Sequence, residues 1–234
     1  MKKDTDGEPA LCTLEERAGV SFTDRDLLKT AFTHRSYVNE SHHAREHNER
    51  LEFLGDAVLE LAVTDFLFTE YPKTPEGVLT AYRAALVNTA MLGAIGEGLG
   101  MNECLLLSKG EAKDTGRARM TILANTLEAF IGALYLDQGY DVAKRFIRTH
   151  ITARVHDVVE TGAWKDAKST FQELAQAKYG YTPRYEVVRA EGPDHDKHFV
   201  VALYVGDTTI AEGEGRSKQE AEQDAATRAL AGEV

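Results

Sequence analysis

The chain has 234 residues, 43% of them hydrophobic, and is long enough for two domains of ordinary size with well-formed cores. Its net charge of −11 excludes a generally basic surface, so any nucleic-acid binding must depend on local basic patches. It has no bilayer-spanning apolar run, no signal-peptide pattern and only two cysteines, which lack metal-ligand spacing. We therefore expect a cytoplasmic protein that does not associate with membranes.

Two regions with different patterns follow one another along the chain. Residues 1–10 are polar and predicted to be disordered, and residues 11–158 repeat apolar positions at intervals of three and four, typical of helices. After a linker at 159–165, a helix ending at Gly180 is followed by three alternating segments and a last helix. The sequence predicts an all-α domain over 11–158 and a small α+β domain of order α-β-β-β-α over 166–233.

The segment HNERLEFLGDAVLEL, residues 47–61, has the periodicity of a buried helix but carries a stripe of acids. Five apolar residues gather on one side of it: Leu51, Leu54, Val58, Leu61 and Ala62. Glu49, Glu52 and Asp56, spaced i, i+3 and i+7, share roughly the opposite side. After Arg50 the next cation is Lys73, so the helix itself offers these acids no basic partner.

A second apolar helix, ILANTLEAFIGALYLDQGYD, places Asn125 and Glu128 three residues apart among apolar side chains. Carboxylates in an apolar setting are costly unless they are paired, protonated or bound to a metal. The acids could cap helices or pair with distant arginines. Because two helices carry oxygen-bearing stripes, the pattern favours a shared site for a hard cation such as Mg²⁺.

A basic segment, KGEAKDTGRAR, leads directly into this second helix. Its cations are Lys109, Lys113, Arg117 and Arg119. A solvated loop is the simplest interpretation of such a charge run. Since the loop adjoins the helix of Asn125 and Glu128, we predict that it contacts phosphates.

The core NERLEFLGD closely resembles the signature of the ribonuclease III family, as do THRSY before it and PEGVLTAYRAALVN and LLLSKGEAKDTGRARMTILANTLEAFIGALYLDQG after it. The resemblance extends over nearly the whole chain. It implies an endonuclease domain that forms a homodimer, joined to a double-stranded-RNA-binding domain. It also implies Mg²⁺-dependent hydrolysis of both strands of double-stranded RNA, with Mn²⁺ able to substitute. The products would have 5′-phosphate and 3′-hydroxyl ends with short 3′ overhangs, and the substrates would include rRNA precursors and mRNA.

The resemblance also assigns roles to individual residues of the first domain. It implies four metal ligands, Glu52, Asp56, Asn125 and Glu128, of which Asp56 and Glu128 are also catalytic. Glu49 and Glu76 correspond to further acids of the catalytic valley, and Phe53 to a residue of the dimer interface. Asn125 stands where the family more often has Asp, so one ligand supplies an oxygen without a charge.

In the second domain the resemblance implies three RNA-contacting regions. They are Ser169, Gln172 and Glu173 on the first helix, His195 in a loop between strands, and Arg216, Ser217 and Lys218 at the start of the last helix. From residue 166 onward there are 13 acidic against 8 basic residues, so contact with RNA must depend on these patches.

Two other functions are alternatives to an endonuclease. A regulator that binds double-stranded RNA without cutting it is conceivable because of Asn125, but it would have no use for the acidic stripe. A di-iron helical bundle also uses acids on helices, but it requires Glu-x-x-His pairs. No histidine stands three residues after Glu49, Glu52 or Glu128.

Overall fold

The computed structural model describes residues 8–40, 46–113, 115–162, 164, 166–193 and 197–232. The chain divides into two compact units between residues 162 and 163, within the predicted linker. No single helix in these ranges has the length and apolar composition to cross a membrane, and one bent pair, Glu76–Val87 with Thr89–Gly98, meets that criterion only jointly.

The first unit is helical, as predicted. Its helices are α1 (Glu8–Ala18), α2 (Arg25–Ala31), α3 (Arg35–Glu40), α4 (Glu49–Glu70), α5 (Glu76–Val87), α6 (Thr89–Gly98), α7 (Arg117–Gln138), α8 (Tyr140–His150) and α9 (Val155–Thr161). Short 3-10 turns occupy Met101–Glu103, Glu111–Lys113 and Thr152–Arg154. Helix α1 extends into the segment predicted to be disordered, and α9 continues three residues past the predicted end of the domain.

Helix α7 is the centre of the first unit and packs against α2, α4, α6 and α8. Its residues from Ala129 to Leu134 are fully buried. The ring of Phe130 lies within 5.2–6.1 Å, centroid to centroid, of Phe22, Phe32 and Phe146. Because a buried Leu or Phe side chain contributes about 1.5–3 kcal/mol, this helix supplies much of the unit's stability.

Helices α4 and α7 approach each other most closely at two glycines. A Cβ on Gly55 would lie 1.8 Å from the carbonyl oxygen of Glu128, and one on Gly132 would lie 2.2 Å from that of Leu51. Contacts this short do not occur, so only glycine permits the crossing. The crossing brings the N-terminal half of α4 against the middle of α7.

The outer face of α4 differs from the sequence prediction. Leu61 was expected on the buried side, but its side chain is 58% exposed. Phe53 and Phe68 are exposed by 82% and 74% and share this face with Leu61 at helical spacing. The mismatch arises because α4 packs against α5, α7 and α8 but leaves this apolar face of the unit in water.

The second unit has the predicted α-β-β-β-α order. Its elements are α10 (Ala167–Tyr179), β1 (Arg184–Glu191), β2 (His198–Val205), β3 (Thr208–Gly215) and α11 (Lys218–Ala231). The strands form an antiparallel sheet of order β1-β2-β3, with a bulge at Val188 of β1. The core joins sheet and helices through Phe171, Leu203, Ala225 and neighbouring residues. The fold class predicted from the sequence is confirmed in both units.

Substitution of Gly132 by alanine tests the helix crossing. We expect Gly132→Ala to lower the free energy of unfolding by about 3 kcal/mol. Overpacking a core costs about 1–3 kcal/mol, and the upper end applies because this Cβ would meet backbone atoms. The thermal midpoint should fall by roughly 5–10 °C in a calorimetric scan. The control is Gly98→Ala, whose Cβ would meet open space. If both variants melt together, the glycine contact is not needed.

Candidate active site

The acids of α4 and α7 form one cluster beside the glycine crossing. Glu52 and Asp56 flank Gly55 on α4, and Glu128 is the α7 residue whose backbone contacts Gly55. Glu52 and Glu128 are half-buried and Asp56 is exposed. The structure thus brings together three of the four residues predicted to bind metal.

The electrostatics of this cluster are unfavourable to its charged form. Burial, followed by the negative charges of Asp56, Glu52 and Glu60 in that order of influence, raises the pKa of Glu128 to about 7. Burial, followed by the charges of Glu49 and Asp56, raises the pKa of Glu52. The charges that shift these two pKa values are all negative.

Glu60 belongs to this stripe and was missed by the sequence analysis. It stands one helical turn after Asp56, a spacing that could have identified it. Its carboxylate Oε2 lies 2.9 Å from Nε of Arg83 on α5. Unlike the acids near α7, Glu60 is therefore neutralised by a partner from another helix.

The two auxiliary acids have different partners. The carboxylate of Glu49 lies 3.5 Å from Arg35 Nη1 and 3.7 Å from His47 Nδ1, so its basic neighbours lie outside α4. Helical spacing can show only partners within the same helix. Glu76 begins α5, where its carboxylate accepts a hydrogen bond from the Thr80 hydroxyl at 3.0 Å. Glu76 is not among the charges that shift the pKa of Glu128.

Asn125 lies one turn before Glu128 on α7 and is half-buried. Residues three apart on a helix share a face, so its amide is directed to the same side as the Glu128 carboxylate. That the two residues pool their oxygens in one cation site stays a prediction.

The donor set fits a hard divalent cation better than a transition metal. Within the described ranges, no three His, Cys, Asp or Glu side chains lie close enough to enclose a metal ion. Mg²⁺ does not require such an enclosure, because it keeps several waters and binds through one or two carboxylates plus substrate phosphates. A cation would also relieve the repulsion that raises the pKa of Glu128.

The basic segment before α7 folds back on itself around a short 3-10 turn. Lys109, Lys113 and Arg117 are exposed. Arg119 is half-buried, and its Nη2 donates to the carbonyl oxygens of Glu111 and Ala112 at 3.3 and 3.2 Å. Arg119 therefore stabilises the loop, while the other three cations lie at the surface, and their contact with phosphates stays a prediction.

Helix α10 carries the first predicted RNA-contacting region. Ser169, Gln172 and Glu173 line one open surface groove of about 650 Å³ together with Gln176. The Ser169 hydroxyl donates to Asp166 Oδ2 at 2.7 Å, and this carboxylate also accepts from the Ser169 backbone N–H as the N-cap of α10. The groove is therefore built on a well-capped helix start.

The start of α11 carries another predicted region. Ser217 is the N-cap, and its hydroxyl oxygen accepts from the Glu220 backbone N–H at 3.1 Å. Arg216 and Lys218 flank it with exposed side chains, next to the backbone N–H groups of the first turn. His195, the remaining predicted contact, lies outside the described residues.

Both units match known family models. The model described as Ribonuclease-III-like matches residues 24–155, and the model for the double-stranded RNA binding motif matches residues 167–232. These ranges correspond to the helical unit and to the α-β-β-β-α unit.

Relatives match over nearly the full length. Ribonuclease 3 of Bdellovibrio bacteriovorus is 45% identical over 223 residues, which cover 93% of this chain and 94% of the relative. Ribonuclease 3 of Enterococcus faecalis is 44% identical over 221 residues, with coverage of 93% and 94%. A solved nuclease domain of ribonuclease III from Campylobacter jejuni is 39% identical with a TM-score of 0.55, covering 60% of this chain and 95% of that one. The chain therefore belongs to the ribonuclease III family and is an endoribonuclease.

Proposed function

We propose that the chain hydrolyses both strands of double-stranded RNA in a Mg²⁺-dependent reaction, with Mn²⁺ as a substitute. The products have 5′-phosphate and 3′-hydroxyl ends with short 3′ overhangs, and the substrates include rRNA precursors and mRNA in the cytoplasm. The observation that carries the proposal is the cluster of Glu52, Asp56 and Glu128 beside a helix crossing, where burial and neighbouring negative charges raise the pKa values of Glu52 and Glu128. Such a cluster attracts a divalent cation and has no structural benefit of its own.

The residues of the cluster divide the work according to burial. Glu52, Asn125 and Glu128 are half-buried and would supply oxygen ligands from one side. Asp56 is exposed and would orient the ion and the attacking water from the open side. When bound, Mg²⁺ supplies a Lewis acid for the scissile phosphate and the water. Because Asn125 lacks a charge, the protein offers this ion three carboxylates rather than four.

Binding of the duplex rests on patches in both units. The groove on α10 and the start of α11 suit the hydroxyls and phosphates of an A-form duplex. Lys109, Lys113 and Arg117 add phosphate contacts on the segment that leads into α7. Since the chain carries a net charge of −11, these contacts should weaken steeply as salt rises.

We also propose that the protein is a homodimer through the outer face of α4. Phe53, Leu61 and Phe68 form an exposed apolar stripe there, which a second copy would cover. Cutting two strands requires two sites, which a two-fold axis provides. The reported Campylobacter jejuni structure describes a region of its nuclease domain as involved in dimer formation.

Substitution Glu128→Gln tests the proposed chemistry. It keeps the size of the side chain but removes its charge from the cation site, whereas the proposed duplex contacts remain. We expect cleavage of labelled double-stranded RNA to fall at least about a hundredfold while gel-shift affinity stays within about twofold. The matched control is Glu173→Gln on α10, which should keep cleavage at saturating RNA. Cleavage by Glu128→Gln within tenfold of wild type would show that Glu128 is structural.

The same variant has a second readout in stability. The folded-state pKa of Glu128, about 7, is above the usual value of 4.5, so the folded state binds more protons between these values. Wild-type stability is therefore lost as pH rises from about 4.5 to 7, by an upper bound of about 3 kcal/mol before solvent screening. Without metal, the melting temperature of Glu128→Gln should be higher than that of wild type at pH 8 and equal to it at pH 4.5. Added Mg²⁺ should raise the melting temperature of wild type more than that of the variant.

Asn125 is tested by a pair of substitutions. Asn125→Asp restores a carboxylate and should lower the Mg²⁺ concentration for half-maximal cleavage, because charge attracts the ion. Asn125→Leu, which has no oxygen donor, should raise the Mg²⁺ concentration for half-maximal cleavage far above that of wild type. If Asp, Asn and Leu at this position give the same Mg²⁺ titration of cleavage, then position 125 does not contact the ion.

Dimerisation is tested by substitution of exposed leucine and phenylalanine residues. Phe53→Gln removes an apolar side chain that is 82% exposed, so it should shift sedimentation equilibrium toward monomer without lowering the thermal midpoint of the monomer. Leu136→Gln, at a position on α7 that is 56% exposed, is the control and should leave the dimer intact. Equal association constants for the two variants would place the interface elsewhere.

A further inference from the structure

Arg83 extends from α5 to α4 and contacts two residues one helical turn apart. Its Nε lies 2.9 Å from Glu60 Oε2, and its Nη1 donates to Thr64 Oγ1 at 3.0 Å. The side chains of Arg83 and Glu60 are 35% and 37% exposed, so the ion pair is partly shielded from water. A planar guanidinium with two separate acceptors is fixed in orientation as well as position.

Glu60 would be part of the acidic cluster if this partner were absent. It follows Asp56 by one turn and Glu52 by two on the same helix. Its charge already acts on the carboxyl of Glu128, across the contact between α4 and α7. Without Arg83, a fourth uncompensated carboxylate would therefore stand next to the three carboxylates proposed as cation ligands.

A fourth free carboxylate would change how the site binds a cation. Mg²⁺ needs open positions for waters and phosphate oxygens, and it uses few protein carboxylates. An additional carboxylate attracts Mg²⁺ more strongly and competes with water and phosphate for those positions. Mg²⁺ would therefore bind more tightly, but the bound ion would support less cleavage. Neutralising and holding Glu60 avoids both effects.

We propose that Arg83 is a positioning residue of the active site, which holds the Glu60 carboxylate toward α5 and so keeps it out of the cation site formed by Glu52, Asp56 and Glu128. This inference rests on the proposed Mg²⁺ site. It assigns to Arg83 an effect on metal binding that a simple tie between α4 and α5 would not have.

The test measures Mg²⁺ binding by calorimetry on the full chain without RNA. Arg83→Gln leaves Glu60 uncompensated and should raise the affinity for Mg²⁺ about twofold to tenfold, while cleavage at saturating Mg²⁺ falls. Glu60→Gln leaves Arg83 uncompensated and should weaken Mg²⁺ by a similar factor. The double variant Arg83→Gln/Glu60→Gln and the conservative Arg83→Lys should both bind Mg²⁺ with an affinity within about twofold of wild type.

Opposite shifts for the two single variants and their cancellation in the double variant support the proposal. It is overturned if Arg83→Gln leaves Mg²⁺ affinity unchanged, or if the double variant is no closer to wild type than Arg83→Gln. Weaker gel-shift binding of RNA by Arg83→Gln, not rescued by Glu60→Gln, would instead make Arg83 a phosphate contact.

Glu128→Gln separates failure of this inference from failure of the proposed function. If that variant binds Mg²⁺ as tightly as wild type, then the proposed cation site itself is wrong. If it loses Mg²⁺ while the Arg83 and Glu60 variants behave as wild type, then only the role of Arg83 is overturned.

Discussion

The crossing of α4 and α7 at Gly55 and Gly132 is the contact on which the active site depends. Backbone meets backbone there, so the side chains one turn away are brought together whatever their charge. The buried residues of α7 around Phe130 provide the favourable free energy. That energy exceeds the cost of burying Glu52 and Glu128 beside other acids, a cost that appears in their raised pKa values. Packing thus enforces an arrangement that electrostatics alone would disperse.

Much of the fold could be predicted because its signals are local. Three-four periodicity, alternation in the strands and the C-cap at Gly180 each depend on neighbouring residues, and the structure has the corresponding elements. Leu61 was wrongly expected in the core because periodicity shows which residues share a face and not whether another element covers it. Which element covers an apolar face depends on the tertiary packing.

Helical spacing could predict which acids share one side of α4, but it could not predict which basic residues pair with them. Spacing along α4 identified Glu52 and Asp56, and the same spacing extends to Glu60. The ion pairs of Glu49 with Arg35 and of Glu60 with Arg83 join residues that are 14 and 23 positions apart. These pairs depend on the packing angles of α3 and α5, which no local pattern specifies. The engagement of Arg119 by loop carbonyls is hidden from sequence for the same reason.

The edges of the small sheet bear on how the second unit behaves in concentrated solution. An edge strand presents unpaired N–H and C=O groups that can recruit a strand from another molecule. Strand β1 carries ion pairs along its own length, Arg184 with Glu186 and Arg189 with Glu191, and it is interrupted by the bulge at Val188. Strand β3 exposes Glu212 and Glu214 on the other edge. Charges and a bulge make both edges poor templates for strand addition, so the RNA-binding unit can be highly concentrated along a duplex without forming intermolecular sheets.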